Sequence, residues 1–309
     1  MSSSPRTTTR KPRQAEKPAE RRRNTVARNQ ARIPFEVRFW GVRGSIPAPG
    51  ANTRRYGGNT PCVEVRCGDE LLIFDLGTGA RSLGHALVAK KKPVRGSIFI
   101  SHYHYDHLQG LPFFGPMFLP TSALDVYGPA RNGQSVKQLL SGQMMPPYFP
   151  VTAEGVFRAK LTYTDLAATQ TLTLGPAQVR TIELNHPGGN LGYRVECQGR
   201  SVVYATDLEH GTEMDAAFYA FAQDADVLIY DAMYTEDEYH GRTGPARTGW
   251  GHSTWEAAVQ AANEAGVKKL VLFHHDPSRD DAGLDRLLRQ VRKHRPDAIA
   301  ARESLVIKL

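Results

Sequence analysis

The chain has 309 residues and a mass of 34.2 kDa, with 40% hydrophobic and 23% charged residues, ordinary values for a globular enzyme with a full core. No run approaches the roughly 18 apolar residues of a membrane helix, which argues against an integral membrane protein. The three cysteines, Cys62, Cys67 and Cys197, form no C-x-x-C pair, are too few for a disulfide scaffold and fit a reducing, cytoplasmic setting.

The net charge of +8 is confined to residues 1–32, where ten basic side chains outnumber two acidic ones; residues 33–309 are neutral. The segment is rich in Ser, Thr, Pro and Arg and too poor in apolar residues to offset chain entropy, so a disordered basic tail is predicted there. It lacks the apolar core of a secretory signal. A tether for nucleic acid or an acidic membrane surface is its functional reading.

From residue 33 the pattern becomes that of a folded domain, 33–309. Strands are predicted at PFEVRFW (34–40), PCVEVRC (61–67), LLIFD (71–75) and SIFI (97–100), with a helix around 80–90 after the GTG turn. The second half echoes the first with QVRTIEL (178–184), LGYRVEC (191–197), SVVYATD (201–207), DVLIYDA (226–232) and KLVLF (269–273). Helices are expected at 253–265, with Ser253 and Glu256 as a capping box and Gly266 as the stop, and at 281–293. Strands in runs, each followed by helices, predict an α+β arrangement of sheet layers covered by helices. Residues 108–150 (LPFFGPMFLP through MMPPYFPV) are aromatic, Met-rich and Pro-broken, and read as a pocket-forming insertion.

The informative residues follow SIFI at once: Ser101-His102-Tyr103-His104-Tyr105-Asp106-His107 holds three of the chain's eleven histidines and a carboxylate. Imidazole and carboxylate make a borderline N/O donor set, suited first to Zn2+ and then to Mn2+, Fe or Ni2+. One ion cannot use all four side chains, so two divalent metal ions are the natural reading.

Here the sequence resembles the metallo-β-lactamase superfamily, whose H-x-H-x-D-H hallmark it matches letter for letter. The resemblance implies a four-layer αβ/βα sandwich over 33–309. It further implies that Asp75 supports the metal loop, that His102, His104 and His186 hold one ion, and that Asp106, His107 and His274 hold the other. Asp207 would bridge them, and His274 is preferred to its neighbour His275 because the family places this ligand directly after the strand. Asp207 stands where secreted antibiotic-degrading members carry cysteine, and His104 where flavo-diiron members carry glutamate, so hydrolysis is expected rather than redox chemistry.

DVLIYDAMY (226–234), GHST (251–254) and LVLFHHDP (270–277) narrow the resemblance to the phosphodiesterase and ribonuclease Z branch. Carry-over makes Asp106, Asp231 and His252 the expected catalytic residues, with His252 the general acid and Asp231 its carboxylate partner. Only twenty residues separate His186 from Asp207, too few for the RNA-gripping arm that ribonuclease Z often inserts there. RFWGVRGSIP (38–47) and SHYHYDHLQGLPFF (101–114) are closer to compact bacterial phosphodiesterases. The expectation is therefore a dinuclear phosphodiesterase that cleaves a small nucleotide phosphodiester, of cyclic-nucleotide type, with a metal-bridged hydroxide. The alternatives are an RNA or DNA nuclease, supported by the basic tail, and a thioester or lactone hydrolase. Arg43, Arg54, Arg55, Arg242 and Arg247, in Gly-rich loops, are candidate phosphate clamps, and Tyr148 and Phe149 candidate base contacts. The partner is a small nucleotide, and the oligomeric state, including a homo-oligomer, stays open.

Overall fold

Hydrophobic alternation builds the first strand, Phe35–Gly41 (β1), which buries Phe35, Val37, Phe39 and Gly41 on one face. The computed structural model describes residues 1–2 and 32–309, and the tail anticipated over 1–32 falls almost entirely outside them. After β1 come β2 (Cys62–Cys67), β3 (Glu70–Phe74), helix α1 (Gly79–Ala89) and β4 (Arg95–Phe99), each where the apolar runs placed it. Next are β5 (Ala123–Pro129), the short helices α2 (Val136–Gly142) and α3 (Ala153–Val156), and β6 (Lys160–Leu166). The second half supplies β7 (Thr171–Leu174), β8 (Ala177–Leu184), β9 (Asn190–Cys197), β10 (Arg200–Ala205), α4 (Asp215–Ala222) and β11 (Val227–Asp231). It continues with α5 (Glu236–Tyr239), α6 (Trp255–Glu264), β12 (Leu270–Phe273), α7 (Asp281–His294), β13 (Ile299–Ala300) and β14 (Val306–Lys308).

These strands form two seven-stranded sheets with mirrored orders, β14-β1-β2-β3-β4-β5-β6 and β13-β12-β11-β10-β9-β8-β7. In each, an antiparallel portion changes to a parallel one: β3 to β6 run parallel in the first, β10 to β13 in the second. The inner faces meet in a core that includes Val37, Phe39, Phe74 and Phe99 from one sheet and Tyr193, Tyr204, Ile229 and Phe273 from the other. Each fully buried side chain of this size contributes on the order of 1.5–3 kcal/mol. On the outer faces, Leu83 of α1 packs over Ile73 and Ile98, while Phe218 of α4, Ala261 of α6 and Val291 of α7 cover Val203, Leu228 and Leu272. The predicted helix–sheet–sheet–helix layering is thus present. Because both faces are covered, β10, β11 and β12 are buried at every position, and VVYA, VLIY and LVLF within them read as apolar runs without alternation.

Three expectations need correction. The 108–150 segment is not an addition to the fold, because it contains β5, paired in parallel with β4 on one side and β6 on the other. Helix α6 starts one residue later than the Ser253–Glu256 box implies. Its cap is Thr254, whose hydroxyl accepts from Ala257 N at 3.1 Å, while Ser253 Oγ turns inward and donates to Leu208 O at 2.8 Å. Gly266, at φ +61°, does supply the stop. Finally, Cys67 at the end of β2 and Cys197 at the end of β9 form a disulfide that ties the two sheets together across 130 residues of sequence. Spacing alone cannot reveal such a pair, and cysteine scarcity no longer argues for a reducing compartment. No helix among the described residues is long and apolar enough to cross a membrane.

The cross-link makes a direct prediction. Unfolded protein without reductant is expected to titrate one thiol, Cys62, and with reductant all three. Cys67→Ser is expected to cost about 2–4 kcal/mol in stability, read as a fall in Tm. Three reactive thiols before reduction would show that the sheets are not bonded.

Candidate metal centre

The site forms where strands of both sheets end. Asp75 directly follows β3, the 101–107 run follows β4, Asp207 lies just past β10, Asp231 ends β11 and His274 directly follows β12. All of these strands belong to the parallel portions, whose carboxyl ends are the usual place for ligands in α/β sheets. Asp75, Asp207 and His274 each turn the chain with positive φ, +60°, +54° and +57°. Such backbone costs a non-glycine residue on the order of 1 kcal/mol, and Asp and His are among the side chains that tolerate it.

The first donor group is His102, His104 and His186. Ser101 Oγ donates to Asp75 Oδ2 at 2.8 Å and so accepts from His102 Nδ1, 3.1 Å away. This leaves His102 Nε2 as the free nitrogen, buried and without a hydrogen-bond partner. His186 Nδ1 lies 2.8 Å from the carbonyl of Gly251, which can only accept, so His186 Nε2 carries the lone pair. That nitrogen is 3.1 Å from Nδ1 of His104. Burial holds the His186 imidazole down at about 4 and keeps His102 and His104 below their ordinary value, so these rings are neutral at pH 7, the form that binds metal.

The second group is Asp106, His107, Asp207 and His274. His107 gives its Nδ1 proton to Asp75 Oδ2 at 2.8 Å, and its Nε2 points inward, 3.2 Å from both Asp106 Oδ2 and Asp207 Oδ1. His274 Nε2 reaches the same two oxygens at 3.1 and 3.2 Å. Asp207 Oδ2 faces the other way, 3.7 Å from His102 Nε2, so one carboxylate touches both groups. Burial opposes ionisation of Asp106 and Asp207, yet His107 and His274 hold both carboxyls below the usual range. Burial likewise opposes protonation of His107, but Asp106, Asp207 and Asp75 outweigh it and raise its pKa. Such a nest of buried acids and inward-aimed imidazole nitrogens attracts positive charge, and the donor chemistry and orphaned nitrogens fit divalent cations. His275 faces away and bonds Ala301 O at 2.8 Å, so the geometry favours His274 over its neighbour.

His252 lines a cleft of about 310 Å³ above these groups, together with Ser45, Tyr103, His104, Tyr105, Asp106 and Asp207. Its Nδ1 is 2.8 Å from Asp231 Oδ2. Burial works against its charged form, but Asp231 raises it to about 9. Sequence reasoning missed Glu209, two residues after Asp207. Its carboxylate accepts from the backbone N–H groups of Gly249 (2.6 Å) and Gly251 (2.8 Å), fixing the loop that orients His186. An acid so close to Asp207, together with the glycine-rich loop at 249–251, was the available signal.

Arg43 is a correction. It is fully buried, and its guanidinium donates to the carbonyls of Gly57, Asp276 and Arg279, so it braces loops and cannot clamp a phosphate. Of the other expected clamps, Arg54 lines a separate pocket and not the cleft, Arg55 and Arg242 are tied to Asp285 and Asp237, and Arg247 lies over the Tyr234 ring near Asp276. Tyr148 and Phe149 do not line the cleft; Tyr148 is exposed and Phe149 meets Phe113 edge-on.

A family model described as the β-lactamase superfamily domain matches residues 73–275, from β3 through His275. The chain belongs to this superfamily. Ribonuclease Z of Pyrococcus furiosus is 27% identical over 286 residues, covering 79% of this chain and 87% of the relative. The metallo-β-lactamase fold protein YhfI from Bacillus subtilis superposes with a TM-score of 0.67 at 21% identity, covering 90% of this chain and 100% of that one. A diphosphatase from the PhnP family gives a TM-score of 0.65 at 18% identity, covering 89% and 97%. The expected branch therefore stands. The protein is a hydrolase of the metallo-β-lactamase fold, which implies divalent metal ions, and it has the donor groups to hold them.

Gly251 tests how the superfamily site is built. It sits at φ +82°, and a Cβ there would lie 2.2 Å from His186 Nδ1. Gly251→Ala is expected to weaken metal binding about 10–100-fold, measured by elemental analysis after dialysis, while far-UV circular dichroism is retained. Full metal content would show that His186 is not a ligand.

Proposed function

We propose that the centre binds two divalent ions, Zn2+ first, through His102, His104 and His186 on one side and Asp106, His107 and His274 on the other, with Asp207 between. On this reading it hydrolyses a small nucleotide phosphodiester, of cyclic-nucleotide type. The observation that carries the proposal is the buried Asp231–His252 pair beside Asp207 at the cleft. When bound, such ions supply Lewis acidity toward a phosphoryl group and lower the pKa of water at the site.

In-line cleavage of a phosphodiester expels an alkoxide, which needs a proton. Asp231 engages Nδ1 of His252, so Nε2 is the atom that delivers one. Asp231 also accepts from Met233 N at 3.0 Å and lies 3.7 Å from His274 Nδ1, which fixes its carboxylate. Asp106 is held by the backbone N–H of Ser45 at 2.8 Å, so the Ser45 turn and the metal loop stay together.

The cleft volume, near the lower end for ligand pockets, and the neutral folded region favour a small substrate over a gripped RNA. Structural likeness to a diphosphatase agrees with this. A ribonuclease reading is kept because the relative from Pyrococcus furiosus is a ribonuclease Z.

Turnover of bis-p-nitrophenyl phosphate, an acyl thioester, a panel of cyclic mono- and dinucleotides and short RNAs by metal-loaded protein separates these classes. Preference for the thioester or for RNA would sink the proposal. His252→Ala is expected to slow substrates with alkoxide leaving groups about 10²–10⁴-fold, and p-nitrophenyl esters far less, with metal content intact. Equal losses on both would remove its role as the acid.

A further inference from the structure

We propose that the protein carries a second binding pocket, independent of the metal centre, for a phosphorylated small molecule with an apolar body, of the size and chemistry of a nucleoside monophosphate. The pocket lies between the loop after β1, the outer side of α7 and the β13–β14 turn. Its volume is about 610 Å³, larger than the 310 Å³ of the cleft above the metal centre. None of its lining residues belongs to the donor groups described above.

Four arginines line it, Arg54, Arg55, Arg292 and Arg302, drawn from three separate elements. The folded region as a whole is neutral, so this concentration does not follow from general composition. The guanidinium groups of Arg54 and Arg302 have no hydrogen bond or ion pair among the described residues. Arg292 uses only Nε, on Ala298 O at 2.9 Å, which leaves its two terminal amino groups. Arg55 is held in place by Asp285 at 2.6 Å. The one carboxylate in the lining, Glu303, is engaged through Oε1 by Asn59 N and Nδ2 at 2.8 and 3.0 Å. Glu303 keeps its charge and Asp285 offsets Arg55, so the lining retains an excess of positive charge on Arg54, Arg292 and Arg302, whose guanidinium groups suit phosphate oxygens.

The other part of the lining is apolar: Leu288, Ile299 and Leu305, each only partly buried. A site for inorganic phosphate alone would have no use for this floor. Charge at one end and aliphatic surface at the other fit a phosphate joined to a nucleoside.

The test is photolabelling of the full-length, metal-loaded protein with 8-azido-AMP, followed by peptide mapping. Label is expected within 281–305, displaced by AMP and far less well by inorganic phosphate. In the double variant Arg54→Ala/Arg302→Ala, labelling at 281–305 is expected to fall about tenfold or more, from the loss of two charge-assisted contacts. Turnover of bis-p-nitrophenyl phosphate is expected to stay unchanged. The basic tail is present in both proteins, so the difference belongs to the pocket. Label confined to other peptides, or undiminished in the variant, overturns the proposal. Equal displacement by phosphate overturns the nucleoside part. Loss of affinity for single-stranded RNA without any AMP labelling would identify a nucleic-acid face instead.

Discussion

The carboxylate of Asp75 is the contact on which the rest of the site depends. It is fully buried, and it accepts from Ser101 N, Ser101 Oγ, His107 Nδ1 and Tyr204 OH, all between 2.7 and 2.8 Å. A buried charge survives only when its lone pairs are filled, and here the partners come from both sheets. Ser101 and His107 bracket the metal loop after β4, while Tyr204 belongs to β10 of the opposite layer. One side chain that touches no metal in the proposed scheme thus fixes a ring tautomer, a loop and the approach of two sheets.

Close backbone packing extends that control. Leu76 N bonds His107 O at 2.8 Å, and Gly110 N bonds Leu76 O at 2.7 Å, zipping the turn after β3 onto the metal loop. The contact is tight enough that a Cβ on Gly77 would sit 2.3 Å from Asp106 O. Glu209 performs the same service across the site, since two backbone N–H groups of the glycine loop converge on its carboxylate. The inward-facing imidazoles are therefore positioned by neighbours with few rotamers or none to lose, which keeps the donor geometry stiff.

The strands buried on both faces were legible because β10, β11 and β12 have no polar face to hide them. The grouping of these His and Asp side chains was legible because one motif concentrates four of them and the others fall at strand ends. What stayed hidden has physical reasons. β6 is an edge strand whose short alternation breaks at the adjacent exposed Thr164 and Asp165, and β13 has only two residues, so neither carries a sustained period. β5 ends in Gly-Pro beside a proline-broken stretch, which masked a central strand. Arg43 looked like a loop cation because sequence cannot show carbonyls converging on a guanidinium, and the Cys67–Cys197 bond spans too much chain to be read from spacing.

The division of donors between the two halves of the chain has a consequence for assembly. The first half contributes His102, His104, Asp106 and His107; the second contributes His186, Asp207 and His274. Each group of donors draws on both halves, so a partly folded chain with one sheet formed would offer only an incomplete set. Ion affinity is then linked by mass action to docking of the layers, and whatever binds the completed centre lowers the population of the undocked state. In that sense the donor groups are complete only when the sandwich has closed.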